Sequence, residues 1–129
     1  GGDYITPEGE LIPHSRLTTP SAPPCKYAYC SDTCYLPENI PLLQGVDLLF
    51  HEATFGNDNE VRASETFHTT AQQAAILAQH AQVKQLLIGH FSARYEEENI
   101  LLQEARQIFP HTLLAKENLC INLKNTRSN

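Results

Sequence analysis

Three short apolar runs each deliver an ionisable side chain. Tyr27-Ala28-Tyr29-Cys30 leads into Ser31-Asp32-Thr33, Leu48-Leu49-Phe50 into His51-Glu52-Ala53-Thr54, and Leu86-Leu87-Ile88 into Gly89-His90-Phe91-Ser92. A short apolar run bounded by polar residues predicts a buried strand, and open α/β sheets gather their ligands at the carboxyl ends of such strands. Taken one at a time, an aspartate after a strand is a turn or cap residue and a histidine is a satisfied core residue. Three equivalent placements weigh more, because ionisable groups beside apolar strands must be compensated by a metal or by hydrogen bonds. Asp32, Glu52 and His90 therefore mark a polar site, which by itself names no reaction.

The elements that must position these residues alternate between strand and helix, the pattern of an α/β layered domain. Thr69-Thr70-Ala71-Gln72 predicts a capping box with Thr69 at the cap, and Ala71, Ala74, Ala75 and Ala78 follow at helical spacing. A second helix is expected from about Glu96, with acidic residues in its first turn, an apolar stripe of Leu101, Ala105 and Ile108, and Pro110 as its stop. A short helix near Pro37–Gln44 and a last strand near Leu119–Leu123 complete the map, while the polar stretch Gly56–Glu65 predicts an exposed loop. Ahead of the α/β core, Pro7-Glu8-Gly9 between two short extended segments predicts a hairpin. The run from Thr18 to Pro24 is too rich in proline for helix or central strand.

Composition bounds the rest. The 129 residues allow one domain, and with 41% apolar residues they can form one core. No apolar run approaches the ~20 residues of a membrane-spanning helix, and the first residues lack the basic and apolar regions of a signal peptide, so a soluble cytoplasmic protein is expected. The net charge of −6 excludes a chain that holds a polyanion by its overall field, so any nucleic acid must be gripped locally. Cys25, Cys30, Cys34 and Cys120 include no Cys-x-x-Cys pair. Buried free thiols are expected ahead of disulfides or a cysteine zinc site.

The order Ser-Asp-Thr (31–33), His-Glu-Ala-Thr-Phe (51–55), His-Thr-Thr-Ala (68–71) and Gly-His-Phe-Ser-Ala-Arg-Tyr (89–95) resembles the carboxyl-terminal half of the ribonuclease Z family. These are tRNA 3′-end-processing endonucleases of the metallo-β-lactamase fold. The likeness runs from the start of the chain to about Ala115, with Ser31 standing where the family often has glycine. It implies half of an αββα sandwich and a site for two zinc ions, with Asp32 bridging both and His90 binding one. Manganese, cobalt or iron would suit the same donors. It further implies that His68 protonates the leaving oxygen, that Glu52 orients the His68 ring, and that Arg94 contacts a phosphate oxygen, leaving a 3′-hydroxyl on the tRNA side.

The family's His-x-His-x-Asp-His motif, its next histidine ligand and its basic tRNA-gripping arm all lie upstream of the matched region. The resemblance therefore implies that this chain supplies about half an enzyme, inactive alone and a weak binder of zinc. It also implies that the amino-terminal half of the same protein is a partner, and that the chain by itself self-associates or dimerises through an uncovered apolar face. Other readings remain open at this stage. Glu52 could pair with Arg62 or Arg94, Arg94 could face Glu96–Glu98, and His68 could be a solvent-facing loop residue. His51 is expected on the opposite strand face from Glu52, and His14, His80 and His111 carry no motif. The whole chain could be a non-catalytic α/β interaction module, or part of another hydrolase of the same fold.

Overall fold

A computed structural model describes residues 2–127. The chain opens with the expected hairpin: β1 (Tyr4–Ile5) pairs antiparallel with β2 (Leu11–Ile12) around a turn in which Gly9 takes φ 86°. That left-handed step costs glycine little. One helical turn not anticipated above, α1 (His14–Leu17), follows, and the proline-rich stretch is irregular as expected.

The main sheet has four parallel strands in sequence order, β3 (Tyr27–Cys30), β4 (Leu48–Glu52), β5 (Gln85–Gly89) and β6 (Thr112–Leu114). Between them lie α2 (Ile40–Leu43), entered through a 3₁₀ turn at Pro37–Asn39, then α3 (Glu60–Glu65), α4 (Ala71–His80) and α5 (Asn99–Arg106). Right-handed crossovers that step across a sheet in one direction place their helices on one face. The core forms there. Leu49, Leu86 and Ile88 of the sheet meet Ala71, Ala74, Ala75, Leu77 and Ala78 of α4 and Leu101 and Ala105 of α5, all essentially without solvent contact. Alanines along one side of α4 let the helix approach the sheet closely.

The other face carries a second apolar row. Tyr29, Phe50, Leu87 and Leu113 are register partners across the four strands. The Tyr29 and Phe50 rings stack with centroids 4.6 Å apart, and Tyr29 remains 64% exposed. Parallel sheets are ordinarily covered on both faces; here the segment from Leu119 to Thr126 comes beside Leu113 at one end of the row, while Tyr29 at the other end stays open. No described helix is long and apolar enough to cross a membrane.

Several expectations need correction. β3 is a half-exposed edge strand, not a buried one, because its tyrosines lie on the uncovered face. The residue that caps α4 is Thr70, with Gln73 closing the box: Gln73 N donates to Thr70 Oγ1 at 3.1 Å and Thr70 N donates to Gln73 Oε1 at 3.0 Å. Adjacent glutamines at 72 and 73 fit either register, and Thr69 is engaged elsewhere. Glu96–Glu98 precede α5 and do not form its first turn. Gly56–Glu65 is not a loop throughout: it contains a 3₁₀ turn at Asn57–Asn59 and then α3, a helix that hides only Ala63 and so has no apolar period to read. The last strand is Thr112–Leu114, which occupies the edge of β5. Leu119–Leu123 is irregular instead, entered from a turn at Glu117-Asn118 in which Asn118 takes φ 64° and Leu119 N donates to Lys116 O at 3.1 Å. The four cysteines are free as expected, but Cys25 and Cys120 are exposed and Cys30 and Cys34 only half-buried.

Candidate functional site

Glu52 ends β4 and is fully buried. Two loops close over it. Its Oε1 accepts from Thr33 N at 2.6 Å, and its Oε2 accepts from Thr54 Oγ1 at 2.5 Å and Thr69 N at 3.1 Å. His68 Nδ1 lies 3.1 Å from Oε1 and 3.0 Å from Oε2. Burial pushes the Glu52 carboxyl up, but donation by Thr54, Thr33, Thr69 and His68 outweighs it, so the group is held below the ordinary carboxylate range. A carboxylate with its lone pairs thus engaged serves as an anchor. The alternative pairings of Glu52 with Arg62 or Arg94 do not occur.

The same bonds set the chemistry of the two histidines. Nδ1 of His68 faces the carboxylate and carries a proton, which leaves Nε2 as the working atom; the residue is half-buried, not a free loop side chain. Thr54 has one hydroxyl proton, and Glu52 Oε2 at 2.5 Å is a nearer, charged acceptor compared with the His90 carbonyl at 2.9 Å. The hydroxyl can then accept from His90 Nδ1, 3.1 Å away, which leaves Nε2 of His90 with its lone pair. The His68 and His90 rings are 5.5 Å apart.

Asp32, Glu52, His68 and His90 each offer a donor atom within 4.8 Å of the others. With Glu52 occupied and His68 tied to it, the exposed Asp32 carboxylate and His90 Nε2 are the two donors that could take a cation. Oxygen and imidazole nitrogen fit zinc and neighbouring divalent ions. Two protein ligands fall short of the three or four that such an ion takes.

Among the described residues Arg94 forms no ion pair with the acidic run at Glu96–Glu98. Its Nη1 donates to Asn59 Oδ1 at 2.5 Å and its guanidinium stands 5.5 Å over the Phe55 ring. The Tyr95 hydroxyl accepts from Gly56 N at 2.8 Å and Asn59 Nδ2 at 3.1 Å and donates to Asp58 at 2.8 Å, fastening the loop that holds Arg94. Residue-type reasoning missed Thr33, Thr54, Thr69 and Asn59. Only Thr54 left a signal, two positions after Glu52 and so on the same strand side. His51 is buried on the other side with Nδ1 2.8 Å from Glu52 O, and burial lowers its pKa against the opposing pull of that bond and of the Glu52 charge. His14, His80 and His111 lie outside the cluster.

A beta-lactamase superfamily domain matches residues 21–91. Ribonuclease Z of Bacteroides thetaiotaomicron is 64% identical over 125 residues, covering 97% of this chain and 40% of that protein. Ribonuclease Z of Porphyromonas gingivalis is 53% identical over 123 residues, again covering 40% of its length. The chain thus spans about 40% of the length of the curated relatives it matches. Among solved structures, the metallo-beta-lactamase fold protein YhfI from Bacillus subtilis superposes with a TM-score of 0.65 at 26% identity, over 70% of this chain and 37% of that one. Human tRNase Z, short form, does so with a TM-score of 0.51 at 32% identity, over 66% of this chain and 27% of that one. With more than half of its residues matched by the domain, the chain belongs to the beta-lactamase superfamily.

Proposed function

We propose that this chain is the carboxyl-terminal part of a zinc-dependent endoribonuclease that removes 3′ trailers from precursor tRNA in the cytoplasm. The observation that carries the reading is the buried Glu52 carboxylate holding His68 beside Asp32 and His90, in a chain 64% identical to a Ribonuclease Z. When bound, paired metals supply Lewis acidity and a water nucleophile at neutral pH.

The chain's own residues have separable tasks in this reading. Asp32 and His90 Nε2 would hold the metal, the exposed Asp32 carboxylate offering oxygen and His90 a neutral imidazole nitrogen. His68, its Nδ1 fixed by Glu52, presents Nε2 to the leaving 3′-oxygen and gives it a proton. Glu52 positions the ring through Nδ1. Arg94 offers its forked donors to a phosphate oxygen, held at the right height by Asn59 and Phe55. The remaining ligands and the basic surface for tRNA come from the amino-terminal part of the same protein, which packs on the apolar row Tyr29-Phe50-Leu87-Leu113. Alone, this chain binds zinc weakly and cleaves nothing.

The test is cleavage of precursor tRNA by the full-length protein, followed by end analysis of the product. A 3′-hydroxyl at the trailer junction is expected. His68→Ala should lower kcat by about 10²–10⁴-fold, the span of a general acid, with metal content retained. A full-length protein that binds zinc and leaves precursor tRNA intact would remove the assignment.

A further inference from the structure

Beside the cluster just described lies a cavity of about 330 Å³ that no step above uses, lined by Cys34, Tyr35, Ser64, Phe67, His68 and Gln73. Its lining has no lysine or arginine, so it is not built for a phosphate, and no carboxylate, so it is not built for a cation. It does have two aromatic rings and several neutral polar groups. Gln73 is held by the α4 cap through its Oε1, which accepts from Thr70 N at 3.0 Å and leaves the amide N–H groups to a ligand. A flat, neutral molecule with donors and acceptors along its edge satisfies such a lining, and a nucleobase is that kind of molecule.

Phe67 strengthens the case. It follows the last turn of α3 at the position where helices ordinarily carry glycine: Phe67 N donates to Ser64 O at 3.3 Å and His68 N to Ala63 O at 2.8 Å, the two bonds of a Schellman ending. Phe67 takes φ 59° there, a conformation bulky residues avoid, and its side chain stands 73% exposed next to His68. Stability alone would place glycine at this position. A phenylalanine there is strained and unburied, so it serves something outside the described residues.

We infer that the cavity between Phe67 and Tyr35 is a nucleobase subsite that receives, by stacking on Phe67, one of the two bases flanking the scissile phosphodiester. The inference rests on the nuclease reading above, since His68 is both the cavity wall and the group assigned to the leaving oxygen. Seating the adjacent base there fixes the register of the phosphate against the His68 ring.

The experiment uses the full-length protein with precursor tRNAs carrying an abasic residue on one side or the other of the scissile bond, together with thermal melts. Phe67→Gly should raise KM about tenfold, as loss of one base–aromatic stack does, while raising Tm by relieving the left-handed step. Phe67→Trp should restore KM. The abasic residue on one side should raise KM for the wild-type protein and add nothing in Phe67→Gly. Independent, additive losses would overturn the subsite, as would a Phe67→Gly protein with lowered Tm and unchanged KM, which would place another part of the protein over the ring. Failure of the wild-type protein to cleave any precursor would remove the nuclease reading and the subsite with it, whereas normal cleavage without coupling would remove the subsite alone.

Discussion

Asp32 and His90, carried by different strands, both leave the sheet through a left-handed backbone step, with φ of 53° and 60°. Aspartate and histidine are among the few non-glycine types that accept this conformation, so each residue meets two demands at once. The tight step turns the side chain back across the strand end, where the two donors converge within reach of one ion. Strain of this kind collects at functional sites and is retained against stability.

Glycine at these positions should therefore separate stability from binding. Asp32→Gly and His90→Gly are expected to match or exceed the wild type in denaturant midpoint, by up to about 1 kcal/mol, while losing zinc affinity in the full-length protein. Gln82, left-handed at φ 51° in the connection to β5, provides the comparison. Gln82→Gly should gain on the order of 1 kcal/mol with zinc affinity intact, as read by urea melts and metal titration.

Acid should destabilise the fold in two windows. His51 is buried with its pKa lowered, so the unfolded chain takes up a proton first, and stability present above the ordinary histidine value of about 6.5 declines as pH falls below it. Glu52, also lowered, contributes stability present above the ordinary glutamate value of about 4.3 and lost as pH falls through its lower folded value. Urea midpoints measured from about pH 8 down to about pH 2 should fall in that order. His51→Gln should abolish the upper decline and leave the lower one.

The neighbouring threonines should differ in what they disturb. Thr70→Ala removes the α4 cap and should cost about 1 kcal/mol of stability with little change in metal affinity. Thr69 is fully buried, and its Oγ1 donates to Thr33 O at 2.7 Å, tying the loop that carries Asp32. Thr69→Val should cost roughly 1–3 kcal/mol and weaken zinc binding as well, measured by denaturation and metal titration on the same preparations.

The site was legible in the sequence to the extent that it follows strand ends. Asp32, Glu52 and His90 each follow an unbroken apolar run, and the register of parallel strands brings their ends together. His68 could be placed only by resemblance, because it lies in a loop ahead of a helix. The cap was read one residue early, since glutamines at both 72 and 73 can close a box and only the tertiary pull of Glu52 on Thr69 N decides. α3 was invisible for a different reason: Val61 is 73% exposed and a helix that hides one alanine leaves no period. Leu119–Leu123 looked like a strand by composition, but the edge of β5 was already taken by three residues too few to signal themselves.

The uncovered sheet face has a consequence for the isolated chain. Tyr29 and Phe50 present a stacked aromatic pair to water, and patches of this kind drive association. Light scattering should find the chain alone in dimers or larger species at high concentration. Tyr29→Lys should shift it toward monomer. A wild-type chain that stays monomeric throughout would mean that this face needs no partner.

The most direct test of the metal assignment is anomalous diffraction at the zinc edge from crystals of the zinc-loaded full-length protein. We expect zinc within about 2.0–2.2 Å of an Asp32 carboxylate oxygen and of His90 Nε2, with Glu52 still bonded to His68 and bound to no metal. Zinc coordinated by Glu52, with Asp32 and His90 turned away from it, would contradict the account.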